Sequence, residues 1–228
     1  MPQVEVANRI QRNTLTMMYW VLYYSFTEDE KYLPDARKNA ADLKDAILNA
    51  LDLANKSQNL RETKESLLAA QKKAAEYEDM INQTVEKVNE AKKLREAMNE
   101  SAQDFIAACN EYNDQQIKQQ KEEFGSGVTG EKAVERAGKI NEINQILNMG
   151  QTLRIMNFNA QATRDVELMK QCITQFSGLY KSVDEILKVT RLEANVQRLN
   201  KIKSSAKAYE DVISKFLTNW QYRNDLGK

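Results

Sequence analysis

Histidine is missing from this sequence of 228 residues. Because histidine is the usual general base near neutral pH and the commonest metal ligand, its absence removes the simplest routes to acid–base catalysis and to metal binding. Carboxylates do not cluster on an apolar face either, since the Glu-Asp pairs at 78–79 and 210–211 occupy consecutive helical positions that point in different directions. We therefore predict that the chain is not an enzyme, with no catalytic residue, no metal and no other cofactor.

Turn-forming residues are scarce, with 7 glycines and 2 prolines. Few turns imply few and long secondary-structure elements. The alternating β-branched residues that are typical of strands are nearly absent, whereas Ala, Leu, Glu, Lys, Gln and Asn dominate. This composition predicts an all-α protein.

An excess of either charge is also lacking, because 33 Lys and Arg residues balance 33 Asp and Glu residues. Interspersed charges of both signs argue against nucleic acid or a bilayer surface as the main partner. No apolar run reaches the roughly 18 residues of a membrane-spanning helix, and residues 2–12 are too polar for the apolar region of a signal peptide. The sequence therefore predicts neither feature within these residues.

Internal repetition is the most informative feature that is present. The tripeptide Thr-Glu-Asp at 27–29 is echoed by Thr-Arg-Asp at 163–165, which is 136 positions later. The pentapeptide Tyr-Glu-Asp-Met-Ile at 77–81 is echoed by Tyr-Glu-Asp-Val-Ile at 209–213, which is 132 positions later. The offsets differ by four, about one helical turn, so one helical register can hold across both copies. Such repeats report architecture directly, and we predict an internally duplicated chain.

Apolar residues at spacings of three and four outline six helices. The third is the longest, with an unbroken seam of coiled-coil type from Leu67 to Tyr112. The glycine-rich segment at 125–130 is a loop, and it lacks the Gly-Lys-Ser/Thr of a phosphate-binding loop. The helices are predicted at about residues 4–26, 34–54, 60–123, 131–160, from after 165 to about 190, and 193–220.

The repeat predicts that each copy ascends by two helices with a break between them and descends by one long helix. Two copies side by side give an elongated fold of six helices, in which two four-helix bundles are stacked end to end and share the long helices. One bundle would hold about residues 1–26, 90–160 and the C-terminal end, and the other about 30–88 and 163–215. The sixth helix is shorter than the third, so we expect a fragment of a longer protein.

The two cysteines, Cys109 and Cys172, fall in different halves of this predicted body. We expect them to be too far apart for a disulfide and to be small buried apolar residues.

The helix order, the breaks at Thr27 and Thr163, the long third helix and the Tyr-Glu-Asp-x-Ile of both descending helices resemble the helical bimodular sensor domain of bacterial chemoreceptors (methyl-accepting chemotaxis proteins) and related sensor kinases. The resemblance covers nearly the whole chain. It implies a periplasmic or extracellular domain of an inner-membrane receptor, held between two transmembrane helices that this fragment lacks. It also implies a homodimer that binds a small organic acid or related metabolite and signals by a shift of the last helix.

Residues 17–26 are apolar on every face, which a four-helix bundle covers only in part. Two interpretations follow for the uncovered part. It forms a dimer contact, or Tyr19, Trp20 and Tyr23, with Met18 beside them, also form the wall of a pocket, since aromatic side chains with polar tips suit small-ligand sites.

The stretch at 148–157 supplies the second half of the predicted ligand site. Gly150, Arg154 and Asn157 share a helix face, and Gln151 lies beside them. Gly150 leaves room on that face, and Arg154 can hold a carboxylate with two hydrogen bonds. The alternative for Arg154 is a surface or interface salt bridge.

By the repeat, Met18 corresponds to Arg154, so the two stretches should face each other across the bundle or across a dimer axis. Arginines often occupy both helices in the family that the chain resembles, whereas Met18 and Tyr19 stand here in place of a basic pair. This departure favours a monocarboxylate, an amphipathic or an uncharged ligand over a dicarboxylate. The competing interpretation of the whole chain is a structural or adaptor rod that binds proteins through a helical face.

Overall fold

The computed structural model describes residues 2–56 and 61–226. Six α-helices and one short 3-10 helix (Glu30–Tyr32) account for nearly all of them, and no strand occurs in these ranges. The predicted all-α class and the number of helices are confirmed. The helices are α1 (Pro2–Thr27), α2 (Leu33–Asn55), α3 (Arg61–Gly125), α4 (Glu131–Thr163), α5 (Val166–Val189) and α6 (Glu193–Leu226).

The repeated tripeptides adopt the same local structure. Glu28 and Arg164 have left-handed backbone conformations, with φ of 58° and 57°. The residue after each is an aspartate whose side chain caps the next helix, since Asp29 accepts a hydrogen bond from the amide of Lys31 (3.1 Å) and Asp165 accepts one from the amide of Leu168 (2.9 Å). The predicted helix breaks at Thr27 and Thr163 are therefore confirmed as two matching corners.

The helices form two compact units. Unit 1 comprises Met1–Glu90 and Gln221–Lys228, and unit 2 comprises Ala91–Trp220. This grouping differs from the expected one, which placed α1 in a bundle with α4 and separated it from α2. The reason lies at the corners, because each left-handed residue reverses the chain, so that α2 packs back against α1 and α5 packs back against α4.

Unit 1 is built from α1, α2 and the first part of α3, together with the last residues of α6. Residues near the start of α1 and near the end of α2 line one cavity, so the two helices are antiparallel. The shared core joins all three long helices and contains Met17, Leu43, Ile47, Leu51 and Ile81. Three residues of α2, spaced four apart, therefore face this core: Leu43, Ile47 and Leu51.

Unit 2 is a bundle of four helices: the second part of α3, then α4, α5 and α6 up to Trp220. Its core is larger and holds buried aromatic rings such as Phe105, Phe176 and Tyr209. Cys109 and Cys172 both belong to it as free, buried thiols. The expectation that they lie in different halves was wrong, since the α4–α5 hairpin brings α5 into the same bundle as α3.

None of the described helices combines the length and the hydropathy needed to cross a bilayer.

Candidate ligand-binding sites

The predicted site residues divide between the two units, so they do not form one site within a single bundle. Met18, Tyr19, Trp20 and Tyr23 belong to unit 1, whereas Gly150, Gln151, Arg154 and Asn157 belong to unit 2. Each group therefore has its own surroundings.

Unit 2 contains a small cleft between α3, α4 and α6, with a volume of about 60 Å³. Arg154 and Asn157 line it as two of the predicted residues, whereas Gly150 and Gln151 do not. The lining residues are Arg95, Met98, Asn99, Ala102, Arg154, Asn157, Phe158, Gln161 and Tyr209.

The guanidinium of Arg154 is only partly satisfied in this cleft. Its Nη2 donates a hydrogen bond to Asn99 Oδ1 (2.9 Å), and its Cζ lies 5.6 Å from the centre of the Phe158 ring. Its Nε is buried and has no hydrogen-bond partner among the described residues. A buried donor without an acceptor costs about 1–3 kcal/mol. No described carboxylate forms an ion pair with Arg154, so the alternative of a salt bridge within the chain is not supported.

An amide network forms the floor of the cleft and connects three helices. Asn157 on α4 is 2% exposed, and its Nδ2 donates to the hydroxyl of Tyr209 on α6 (3.2 Å). Its Oδ1 accepts a hydrogen bond from Gln161 Nε2 (2.9 Å), and Gln161 Oε1 accepts one from Arg95 Nε on α3 (3.1 Å). Burial raises the pKa of Tyr209 to about 12 although the bond from Asn157 lowers it, so the phenol is neutral at physiological pH.

Cationic and amide side chains line the cleft. Its described lining includes two arginines, Arg95 and Arg154, and no carboxylate. Guanidinium groups with neighbouring amides favour planar anions such as carboxylates, which accept two hydrogen bonds in parallel.

Helical spacing predicted one wall of this cleft, on α4, but gave no signal for the wall on α3. Arg95 and Asn99 are one turn apart on α3, and only the pairing of α3 with α4 brings Arg95 to Gln161 and Asn99 to Arg154. Tyr209 belonged to the repeated pentapeptide, but the repeat gave no indication that its hydroxyl would reach α4.

Gly150 was predicted to leave room for a ligand, but its lack of a side chain instead allows close packing of α4 against α3. A Cβ atom at this position would overlap the ring of Phe105, which is 2% exposed on the facing helix α3. The space beside Gly150 is therefore occupied by an aromatic ring of the core, and the next residue, Gln151, is exposed.

The predicted aromatic residues of α1 form a surface cluster in unit 1. Tyr19 and Tyr23 lie 4.6 Å apart by ring centroids, and Trp20 stacks on Tyr32 at 5.7 Å. Tyr19 is 48% exposed and Tyr23 is 40% exposed. A hydrogen bond with Tyr23 raises the pKa of the Tyr19 phenol. Tyr32 was not predicted, and it reaches the cluster through the 3-10 helix at the first corner.

A larger cavity of about 340 Å³ lies beside this cluster, also within unit 1. Met18 and Tyr19 line it, whereas Trp20 and Tyr23 do not. The full lining is Leu15, Met18, Tyr19, Val21, Leu22, Ser25, Tyr77, Met80, Thr84, Arg223 and Leu226. Most of these side chains are apolar, and the contribution of Arg223 was not foreseen.

No protein-family model matches the chain, and no curated protein matches it. Among the described residues, no cluster of cysteine and acidic side chains is suited to a metal ion.

Proposed function

We propose that the chain is the extracytoplasmic ligand-sensing domain of a bacterial chemoreceptor or a related sensor kinase, and that it binds a small organic acid in the Arg154 cleft. The observation that carries the proposal is the buried Nε of Arg154, which lacks an acceptor in a cleft lined by two arginines and no described carboxylate. A carboxylate supplies the missing acceptor and pairs with the Arg154 guanidinium.

The expected ligand is a monocarboxylate whose acid group enters the cleft. Arg154 Nε is covered by neighbouring protein atoms, so binding requires the guanidinium to turn toward the cleft. One carboxylate oxygen then accepts from Nε, and the other competes with Asn99 Oδ1 for the Nη2 hydrogen bond. The volume of about 60 Å³ exceeds the roughly 15 Å³ that one water needs, and suits a head group of a few non-hydrogen atoms. The remainder of the ligand extends past Phe158, which is 52% exposed.

The amide network offers a route from the ligand to the last helix. Asn157 contacts the cleft from α4, and its hydrogen bond to Tyr209 joins it to α6. A ligand that reorients Arg154 and Asn157 favours one packing of α6 over another, which is the helix shift that the proposal requires. The coupling cannot exceed the difference in ligand affinity between the two packings.

Homodimerisation is part of the same proposal. Ile155 and Phe158 of α4 are 60% and 52% exposed beside the cleft, and they are the candidate contacts. A partner subunit placed there would cover both apolar side chains and the outer end of the ligand.

A thermal-shift screen of the whole chain against organic acids tests the proposal. A ligand present at about 100 times its Kd stabilises the folded state by about 2.7 kcal/mol. Arg154→Ala should abolish this shift while leaving the helical circular dichroism intact. Arg198→Ala is the matched control, because Arg198 lies in the same unit and pairs with Glu111 away from the cleft.

Two outcomes would contradict the proposal. An unchanged affinity in Arg154→Ala removes Arg154 from the site. The absence of any shift across a broad set of monocarboxylates, dicarboxylates and amino acids rejects a carboxylate sensor.

The 65-residue helix α3 keeps the structural or adaptor rod as a second candidate. The two candidates differ in gene context, because a sensor domain is flanked by membrane-spanning segments and an adaptor rod is not. Membrane spans on both sides of this segment in the natural gene would therefore favour the sensor.

A further inference from the structure

We infer that the cavity of about 340 Å³ in unit 1 is a second ligand site, and that it takes an uncharged amphiphile: an aliphatic chain that ends in a hydrogen-bond acceptor such as a hydroxyl or carbonyl group. The inference goes beyond the proposed function, because this cavity and the Arg154 cleft share no residue and lie in different units.

The walls of the cavity suit an aliphatic chain. Leu15, Met18 and Leu22 follow one another along α1 and are 60%, 45% and 68% exposed. Tyr77 and Met80 of α3 form part of the opposite wall. The volume falls within the roughly 300–1,000 Å³ of small-molecule sites. An apolar chain in this space would cover large aliphatic side chains that water contacts now.

The polar end of the cavity is Arg223, whose side chain is only 8% exposed. Its Nη1 donates to Glu28 Oε1 (2.7 Å), and its Nη2 donates to the carbonyl oxygen of Ser25 (2.8 Å). Its Nε is buried and finds no acceptor within the described ranges. That Nε is covered by neighbouring protein atoms, so a ligand oxygen satisfies it once the Arg223 side chain turns toward the cavity, in the way that buried donors in proteins normally are satisfied.

The pairing of Arg223 determines the charge of the ligand. Glu28 is itself only 15% exposed and already neutralises the guanidinium. A carboxylate ligand would bring a second negative charge next to Glu28 in a poorly hydrated site, where like charges repel strongly. A neutral acceptor incurs no such cost. The Arg154 cleft differs in this respect, because its described lining contains no carboxylate.

Binding of 1-octanol and of octanoate to the full chain tests this assignment by titration calorimetry and thermal shift. The two probes share a chain length and differ in the charge of the head group. We expect saturable binding of octanol and at least tenfold weaker binding of octanoate to this cavity. Arg154→Ala should leave the affinity for octanol unchanged, which separates this site from the proposed sensory one.

Two substitutions locate the octanol site. Met80→Trp fills the cavity and should weaken octanol binding at least tenfold. Leu22→Gln keeps the fold, because Leu22 is largely exposed, and should weaken binding several-fold. Leu48→Gln is the matched control in the same unit, since Leu48 is 44% exposed on α2 and does not line the cavity. Should Met80→Trp fail to fold, Leu22→Gln and its control decide the question.

Three results would overturn the inference. Octanoate that binds the Arg154→Ala variant, in which the proposed carboxylate site is removed, as tightly as octanol does excludes the neutral-acceptor argument. Octanol binding that is unchanged in the folded cavity variants places the probe elsewhere. Sedimentation that shows a dimer weakened by Leu22→Gln and unaffected by octanol assigns the surface to a second copy of the chain.

Discussion

Unit 1 and unit 2 differ in how completely their helices enclose a core. In unit 2, four helices surround a continuous core that includes both cysteines, and its described cleft has a volume of about 60 Å³. In unit 1, the small core of α1, α2 and α3 is flanked by cavities of about 350, 220 and 340 Å³. A fourth helix closes a bundle on its last side. Unit 1 has only the last residues of α6 in that place, which leaves the apolar outer face of α1 open.

The two corners have the same backbone conformation, but their side chains make different contacts. Glu28 and Arg164 both adopt the left-handed conformation, but the Glu28 side chain is 15% exposed against Arg223, whereas Arg164 is exposed. The repeated tripeptide therefore determines the turn, and the residue in its middle determines what the turn contacts. In unit 1 this contact holds the end of α6 against α1.

The largest effect is expected at the unit 1 corner. Glu28→Ala leaves the buried Arg223 without its counter-ion, and we expect a loss of about 3 kcal/mol in the free energy of unfolding, the lower end for a broken buried pair. Urea denaturation followed by circular dichroism measures the loss. Arg164→Ala is the control, since it has the same backbone conformation at an exposed position. Equal losses in the two variants would show that the ion pair does not stabilise unit 1.

A second prediction concerns close packing in unit 2. Gly150→Ala forces a Cβ atom into the Phe105 ring, and overpacking of a core costs about 1–3 kcal/mol. Gly138→Ala lies on the same helix α4 with open space around it, so it should stabilise the protein by about 1 kcal/mol through helix propensity alone. Opposite signs in thermal denaturation confirm the contact. Two stabilised variants would mean that the α3–α4 interface yields easily.

The reactivity of the two cysteines measures how well the core of unit 2 is protected from solvent, independently of unit 1, because both cysteines lie in that core. Burial raises the pKa of Cys109 to about 12 and that of Cys172 to about 11. At pH 8 the native protein should therefore react with a thiol reagent at least a hundredfold more slowly than the protein in urea. Glu28→Ala should leave this protection unchanged, and rapid labelling of that variant would show that the two units unfold together.

The same pKa shifts give the sign of a pH dependence. Above about pH 8.5 the unfolded chain loses the thiol protons that the folded chain keeps, so the unfolded state binds fewer protons. The thiol contribution to the free energy of unfolding should therefore be constant below that pH and should fall as the pH rises toward 11. Serine at both positions should flatten this slope in chemical denaturation. If the free energy of unfolding of the double variant falls with pH as steeply as before, the slope is due to the buried tyrosines.

The sequence was sufficient for the features that depend on local pattern. The long seam of α3 and the shared face of Arg154 and Asn157 follow from spacing along one helix. The two corners follow from the repeated tripeptide. The grouping of helices was not predictable in this way, because Glu28 and Arg164 carry no glycine signal for a left-handed turn. The function of Gly150 and the partners of Arg154 depend on residues of α3 that lie far away in the sequence. Tyr32 was missed because a short 3-10 helix has no periodicity to detect.

The smallest effect is expected from glycine substitutions at the two corners. A left-handed conformation costs a non-glycine residue about 1–2 kcal/mol, and glycine avoids this cost but loses about 0.5–1 kcal/mol more entropy on folding. Arg164→Gly should therefore stabilise the chain by about 0.5 kcal/mol. Glu28→Gly gains the same backbone term and loses the ion pair with Arg223, so it should destabilise the chain by about 2 kcal/mol or more. Paired urea titrations measure both changes. Destabilisation by Arg164→Gly would show that the Arg164 side chain also stabilises its corner, and that the two corners differ less than their exposures indicate.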